Sequence, residues 1–374
     1  MADLVAALGL MSGTSLDGID VAMIRTDGDT RVEFGPAHTV PYDSALRESL
    51  RVLLGRRDAD VGLRKIEEQF TDAHGDAIDK LLQKDISSHS EVKIIGFHGQ
   101  TLSHRPEEGW TWQIGDGQRL ANRQGIPVVH DFRRADVANG GQGAPFVPLY
   151  HQALAAKLPE RPLAILNIGG VANVTWIGRG PHDILAFDTG PGNAPIDDWV
   201  LHRMGIARDE GGALAGAGKA DRSRVEAMLR QDFFERNPPK SLDRQDFLSS
   251  MADGLSAEDG AATLVAMTVG AVARAREHMP EMPQRWLVTG GGRHNATMMW
   301  RLREALGVPV DQVEAVGWRG DALEAEAFAF LAVRSLKGLP LSLPSTTGCR
   351  TPTTGGVLWQ PDQPALRVAK AAER

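Results

Sequence analysis

The two halves of this 374-residue chain open on stretches of the same design. "ALGLMSGTSLDGIDVAMI" (Ala7–Ile24) and "LAILNIGGVANVTWI" (Leu163–Ile177) each run from an apolar strand through a glycine-rich polar turn into a second apolar strand. A plain hairpin needs only a short loop of about two to five residues. The first turn instead carries Ser12, Gly13, Thr14, Ser15, Asp17, Gly18 and Asp20. Such a turn either caps its own backbone with Ser and Asp side chains or presents backbone N–H groups and hydroxyls to an oxyanion. Two carboxylates suit a phosphate only if a divalent cation comes with it.

The pattern restarts after "RRADVANGGQGAPFVP", a segment rich in Gly, Asn and Pro. Two similar α/β lobes are therefore expected, residues 1–135 and 136–374, with the C-terminal tail returning to the first. Each begins as an antiparallel meander. Strands are expected over Leu4–Met11, Asp20–Arg25 and Arg31–Val40. Leu63, Ile66, Phe70, Ala73, Ala77 and Leu81 recur at helical steps. "VKIIGF" reads as a buried strand, Gly117–Gln124 as a helix and "IPVVHDF" as a strand. Facing glycine turns on two lobes would border a central cleft, where small ligands usually bind.

Composition excludes several classes. A net charge of −7 leaves no general basic face for nucleic acid. The single cysteine, Cys349, rules out an internal disulfide and a Cys-rich zinc site. No apolar run approaches the ~18 residues that span a bilayer. The N-terminus has no basic segment before its apolar run, so no signal peptide is expected and the setting is expected to be cytoplasmic.

Three further segments invite chemistry. In "AFDTGPGN", Asp188 ends an apolar strand before a glycine loop that holds Gly190. Such a carboxylate either caps a helix or works as a base. With the ordinary aspartate pKa near 3.9 it is expected to be ionised at neutral pH. In "FHGQT", His98, Gln100 and Thr101 directly follow a buried strand. "HDFRRADVANGGQGAP" adds Asp131, Arg133, Arg134, Asp136, Asn139 and Gln142. Such donors and acceptors suit a polyol, and arginine suits a carboxylate. His98 and His104 lack the spacing of a zinc-binding helix, so no protein-held metal is expected. Glu324 and Glu326, two apart on a helical pattern, cannot share a face, and Glu324 is taken as the one toward the site.

The remaining glycine elements are less specific. "VTGGGRHN" places Gly290, Gly291 and Gly292 at a strand end, followed by Asn295. It is not GxGxxG, so it is no dinucleotide fingerprint. "GAGKA" near Gly218 fails as a phosphate-binding P-loop, because Ala213 stands where glycine is required and Ala220 follows Lys219. Gly205–Ser223 is read as a flexible surface loop.

Taken in order, "GLMSGTSLDGID", "FHGQT", "QIGDG", "DFRRADVANGGQGAP", "NIGGVANVT", "FDTGPGN", "PPKSLDR" and "TGGGRHN" closely resemble the anhydro-N-acetylmuramic acid kinases. The resemblance spans nearly the whole chain. It implies the two-lobed actin-like ATPase (ribonuclease H-like) fold, an α/β architecture. ATP and Mg²⁺ are implied as cofactors. The turn from Gly13, Thr14, Ser15, Leu16, Asp17 and Gly18 to Ile19 and Asp20 is implied to touch the ATP phosphates. Asn167, Gly169, Gly170 and Asn173 are expected to serve the second phosphate turn, with Gly290, Gly291, Gly292 and Asn295 on the nucleotide side. Asp188 falls on the family's catalytic aspartate. His98, Gln100, Thr101, Asp131, Arg133, Gly190 and Glu324 are the expected sugar contacts. The implied substrate is 1,6-anhydro-N-acetylmuramic acid, an amino sugar, and a homodimer is expected. "KSLDR" departs from the "KSTGR" of some relatives, in a loop read as peripheral. A kinase of an ordinary hexose on the same fold is the competing reading. A nucleotide-binding sensor is the second, though those carry a DNA-binding helical domain that is not seen here.

Overall fold

The computed structural model describes residues 3–13, 15–58, 61–83, 91–243 and 246–362. Its contacts divide the chain into two units. The first comprises Met1–Asn139, Glu324–Leu341 and Thr353–Arg374, and the second Gly140–Leu323 and Ser342–Pro352.

In the first unit, β1 (Val5–Met11), β2 (Gly18–Thr26) and β3 (Val32–Pro41) form the expected antiparallel meander. β4 (Ile94–Phe97) joins β1 in parallel. A small antiparallel pair, β5 (Gln100–Arg105) and β6 (Trp110–Ile114), stands apart as its own sheet. β7 (Val128–His130) then pairs parallel with β4.

The second unit repeats this plan. β8 (Leu163–Ile168), β9 (Val171–Ile177) and β10 (Ile184–Pro191) make the meander. β11 (Arg285–Thr289) and β12 (Val310–Gln312) extend it in parallel. The order β10-β9-β8-β11-β12 matches β3-β2-β1-β4-β7 strand for strand and direction for direction. This is the ribonuclease H-like arrangement, present twice. β13 (Val357–Trp359) adds an antiparallel edge to β7 in the first unit.

Alternation along β1 builds the first core. Ala6, Leu8 and Leu10 share a cluster with Phe70, Ala77, Ile78 and Leu81 of helix Val61–Gln83. Leu63 is buried too, with Ile66 and Ala73 packed against the cluster, as the helical spacing predicts. The other face of the sheet receives helix Leu323–Leu336 at very short range. Gly9 and Gly96 are register partners on β1 and β4. A Cβ on Gly9 would lie 1.8 Å from the Ala325 carbonyl oxygen, and one on Gly96 would lie 2.0 Å from that of Phe328. The two glycines thus let helix backbone rest on sheet backbone. Gly96→Ala is expected to cost about 3 kcal/mol, since backbone has no rotamer with which to yield. A thermal melt should show a fall of roughly 6–12 °C.

In the second unit, helix Ala257–Ala275 is the central core element, with twelve of its residues buried. Gly205–Ser223 departs from the expected loop. Glu210–Gly212 is a 3-10 turn and Ala213–Ala217 a helix. Asp209, almost buried, accepts from the backbone N–H groups of Leu214 and Ala215 at 2.8 and 2.9 Å and fixes that helix start. Among the described residues no helix is long and apolar enough to cross a membrane.

Candidate active site

The end of the second sheet carries a row of polar residues. Asn167 on β8 is opposite Asn173 on β9, and Asn173 is opposite Asp188 on β10. Directly paired antiparallel residues point to one face. These three are partly exposed where most of their strand neighbours are buried. Thr289 of β11 continues the row beside Asn167.

Asp188 sits at a bulge where β10 leaves the β9 ladder between Asp188 and Gly190. Its backbone N–H donates to the Lys240 carbonyl at 2.9 Å. Its Oδ2 accepts from the Leu242 N–H at 2.8 Å. Burial pushes the carboxyl pKa up to about 7, and the Leu242 N–H opposes that rise only in part. This corrects the expectation of a group fully ionised at neutral pH: desolvation disfavours the charged form. A carboxyl titrating near working pH is well matched to take a proton from a reacting group. It also corrects the view of "KSLDR" as peripheral. The segment that grips Asp188 is Lys240–Leu242, and sequence reasoning missed it because nothing in "PPKSLDR" signals which residue its backbone faces. A cavity of about 490 Å³ adjoins it, lined in part by Ser241, Leu242, Arg236 and Asp246.

The glycines around this row have distinct duties. The carbonyls of Gly169 and Gly170 accept from the N–H groups of Gly192, Asn193 and Ala194, at 2.7 to 3.2 Å. The β8–β9 turn therefore caps helix Ala194–Met204, whose N-terminal donors have no side-chain cap. Gly190 lies against Ala271, where a Cβ would come within 2.6 Å of the Ala271 Cβ. Gly290 has φ +75°, and a Cβ there would meet Asn167 Oδ1 at 2.3 Å. Gly292 has no room beside Ile168. Gly291 is exposed between them. Asn295 is the N-cap of helix Ala296–Leu306 and accepts from Met298 N–H at 2.9 Å. Its role in the structure is thus a cap, in a place also suited to an anion. Arg293, unremarked in the sequence, is buried and paired with Glu314 at 3.1 Å and Asp321 at 2.6 Å.

In the first unit the opening turn is compact. Leu16 N–H donates to the Gly13 carbonyl at 3.1 Å. Leu16 is buried with φ +57°, a strained conformation for leucine that the surroundings must hold. Buried Ser12 donates to the Gly99 carbonyl at 3.3 Å, and Gln100 Nε2 to the Gly13 carbonyl at 3.4 Å. The turn is thereby tied to the segment after β4. Ser15 and Asp17 are exposed and Ile19 is buried. Gly18 fits because a Cβ would lie 2.7 Å from the Val40 carbonyl oxygen. Asp20 Oδ1 accepts from Thr39 Oγ1 at 2.6 Å. Thr14 lies outside the described residues.

His98, Arg133 and Glu324 form the second cluster of this unit. Arg133 donates to His98 Nε2 from Nε at 3.2 Å and from Nη2 at 2.9 Å. Because arginine only donates, Nε2 is the acceptor and the ring proton is assigned to Nδ1. Burial, with Arg133 adding its charge, holds the imidazole well below the ordinary histidine pKa and therefore neutral. Burial lowers Arg133 to about 10, with Glu324 and Asp136 opposing. It stays cationic at neutral pH. Phe328, one turn after Glu324, packs on the His98 ring with centroids 4.6 Å apart. Asp131 has φ +60° and pairs with exposed Arg134 at 2.8 Å. Gln100 is fully buried, and its Oε1 has no hydrogen-bond partner among the described residues. Thr101 Oγ1 accepts from Gln113 at 3.3 Å. Both residues stand on the β5–β6 pair, which sequence reasoning did not find.

A family model described as anhydro-N-acetylmuramic acid kinase matches residues 5–361. Three proteins of that name are similar over almost their whole lengths. The one from Rhodospirillum rubrum is 56% identical over 372 residues, 98% of this chain and 96% of the relative. That of Paramagnetospirillum magneticum is 56% identical over 353 residues, covering 94% and 98%. That of Rhizorhabdus wittichii is 52% identical over 361 residues, covering 95% and 99%. Solved structures align more distantly. The (R)-2-hydroxyglutaryl-CoA dehydratase component A of Acidaminococcus fermentans has 12% identity and a TM-score of 0.49 over 89% of this chain and 99% of that one. The fold assignment rests on the strand order of each unit.

Proposed function

This chain belongs to the anhydro-N-acetylmuramic acid kinase family, and from that premise we propose how its residues carry the reaction. The chain is a carbohydrate kinase that uses ATP. Its substrate is 1,6-anhydro-N-acetylmuramic acid and its products are N-acetylmuramic acid 6-phosphate and ADP, a step of cell-wall recycling. The single observation that carries the chemistry is Asp188, a carboxyl with pKa near 7 at a strand end, held by one backbone donor.

In its carboxylate form Asp188 takes a proton from water as that water attacks C1 of the sugar. The C1–O6 bond breaks and its electron pair stays on O6. O6 attacks the γ-phosphorus, and ADP leaves with the bridging oxygen. No second carboxylic acid is needed, because phosphorus rather than a proton meets the leaving oxygen. Ordinary glycosidases, by contrast, use a carboxyl pair.

The Gly13–Asp20 turn supplies backbone donors to the phosphates. A cation carried with ATP needs only one or two protein carboxylates. Asp17, paired with Arg47 at 3.6 Å, and Asp20 would supply them; no cluster of three or more His, Cys, Asp or Glu occurs among the described residues. When bound, Mg²⁺ would neutralise charge on the transferring phosphoryl group. Gly290, Gly291 and Asn295 form the nucleotide side, with the polar row at Asn167 and Asn173 toward the phosphates.

Arg133, rather than exposed Arg134, is assigned to the lactyl carboxylate of the sugar. It is cationic, and His98 aims its guanidinium. Gln100, Thr101, Asp131 and Glu324 are assigned to the hydroxyl and amide groups, while Gly190 serves the close packing of β10 on Ala271 next to the base. Arg133→Ala is expected to raise the sugar KM about a hundredfold, the order of a lost charge-assisted pair. The ATP KM should stay within a factor of about two. Equal changes in both constants, or none, would remove the assignment.

A cytoplasmic homodimer is part of this reading, checked by fractionation and by sedimentation of the full chain. The decisive substrate test is ADP release with a panel of sugars. Turnover of the anhydro sugar alone supports the reading. Faster turnover of glucose or N-acetylglucosamine moves the chain to an ordinary sugar kinase.

A further inference from the structure

Lys240 is buried, which is unusual for an ammonium group. Its Nζ donates to the carbonyls of Phe233 and Phe234 at 3.0 and 3.3 Å and lies 3.1 Å from His278 Nε2. Phe233 stacks under the ammonium, 4.6 Å from Nζ to ring centroid, with Phe187 on another side at 5.9 Å. His278 Nε2 also lies 2.9 Å from the Phe234 carbonyl, to which it donates, so two carbonyl acceptors and two rings, with the His278 ring alongside, set one side chain against three elements. These are helix Asp232–Glu235, the 3-10 turn Arg276–His278 and β10 itself, through Phe187.

Next in the chain, Ser241 Oγ donates to Gln142 Oε1 at 2.6 Å. The backbone between these anchors holds Asp188 twice, by the Lys240 carbonyl on its N–H and by the Leu242 N–H on its carboxylate. Asp188 needs such a hold. It is the last residue paired to β9 before the bulge, so the ladder is broken on its C-terminal side.

We propose that Lys240 is a positioning residue for the reaction: its buried ammonium anchors the Lys240–Leu242 segment so that the Leu242 N–H meets the Asp188 carboxylate. The inference rests on the reading of Asp188 as the base. Its physical content is specific. A hydrogen bond to the charged form favours that form. Slackening the clamp leaves burial unopposed, so Asp188 loses its proton only at higher pH. The Lys240 ammonium faces Phe233, Phe234 and His278 and acts on the Asp188 carboxylate through the Leu242 N–H.

The test compares pH profiles of kcat/KM for the full-length wild type, Lys240→Met, Leu242→Pro and Asp188→Asn, each with a thermal melt. Methionine keeps the length and apolar contacts of the lysine stem and removes the donors. Leu242→Pro removes the N–H at the other end of the clamp and leaves the ammonium in place. The expected result for Lys240→Met is a fall in kcat of about tenfold or more, the ATP KM within about twofold, and an acidic limb moved up by about half a pH unit or more. Leu242→Pro should move the limb the same way, and the double variant should move it no further than either single one. An acidic limb left in place in Lys240→Met overturns the proposal, whatever happens to its melting temperature. If Lys240→Met fails to fold, Leu242→Pro decides: an unmoved limb overturns the clamp. Retained activity in Asp188→Asn would instead overturn the reading of the base, so the two failures are separable.

Discussion

Asp188→Asn is expected to lose about a thousandfold in kcat, within the usual range for a general base, and to melt at a higher temperature than the wild type above pH 7. The loss follows from chemistry: an amide cannot accept the proton of the attacking water. The gain follows from linkage. An unfolded aspartate gives up its proton near pH 3.8, while folded Asp188 holds it to about 7. Between these values the native state binds more protons than the unfolded one, so stability falls as pH rises. The deficit grows through the window from about pH 4 to 7 and is complete above it. At ~1.4 kcal/mol per unit it reaches at most about 4 kcal/mol. Asparagine avoids the deficit and still offers an oxygen to the Leu242 N–H. At pH 8 the variant should therefore be about 2–4 kcal/mol more stable. At pH 4 the two melts should coincide. A variant that is inactive yet less stable at pH 8 would mean that the carboxylate is well solvated in the native state.

Acid acts on the rest of the fold with the opposite sign. His74 and His151 are buried and held neutral by desolvation, each with a pKa of about 3. Burial also holds His98 and His130 below the ordinary value. In the first unit three of these lie close together around Phe97. His74 packs at a tilt on Phe70 and Phe97, and His130 on Phe97, with centroids 4.2 to 5.0 Å apart. His74 Nδ1 bonds the Phe70 carbonyl at 2.8 Å, and His130 Nδ1 that of Phe97 at 2.7 Å. An unfolded histidine takes up its proton near pH 6.5, whereas these folded ones do not. Stability is therefore present above pH 6.5 and is lost as pH falls toward 3. At pH 5, His74 and His151 together account for a loss of about 4 kcal/mol. Because Asp188 works the other way from pH 7 down to 4, the Asp188→Asn chain should show the loss undiluted. Calorimetric unfolding of Asp188→Asn at pH 5 in buffers of different ionisation enthalpy should report an uptake of at least about two protons. His74→Phe should reduce that uptake by about one. An unchanged uptake would show that His74 is already charged in the fold.

The legible part of this protein was what short-range pattern controls. Alternating strands broken by glycine turns gave both meanders. Leu63 to Leu81 gave a helix because one face is apolar at helical steps. Asp188 could be singled out because a carboxylate at the end of an apolar strand before glycines has few neutral explanations. What the pattern missed depends on residues far apart in the chain. Gly9 and Gly96 look like ordinary strand glycines until the Leu323–Leu336 backbone is laid on them. The pKa of Asp188 was misjudged because burial has no local signature. Asp209 caps a short helix inside a segment whose glycines read as a loop. Lys240 lies in a loop read as peripheral, and only the fold places its ammonium over Phe233 and its carbonyl on the Asp188 N–H. Gly169, Gly170 and Asn295 carried a second meaning: they cap helices as well as standing where phosphate donors are expected.

The central claim is that water guided by Asp188 attacks the anomeric carbon while O6 captures the phosphoryl group. Mass spectrometry tests it directly. Wild type and Asp188→Asn are mixed with Mg·ATP and 1,6-anhydro-N-acetylmuramic acid in ¹⁸O-labelled water and quenched before the anomeric oxygen can exchange. The account predicts a hydrated sugar phosphate from the wild type alone, with one label at C1 and none at O6 or in the phosphoryl group. Label in the phosphoryl group, a phosphorylated sugar with its bridge intact, or equal product from Asp188→Asn would contradict it.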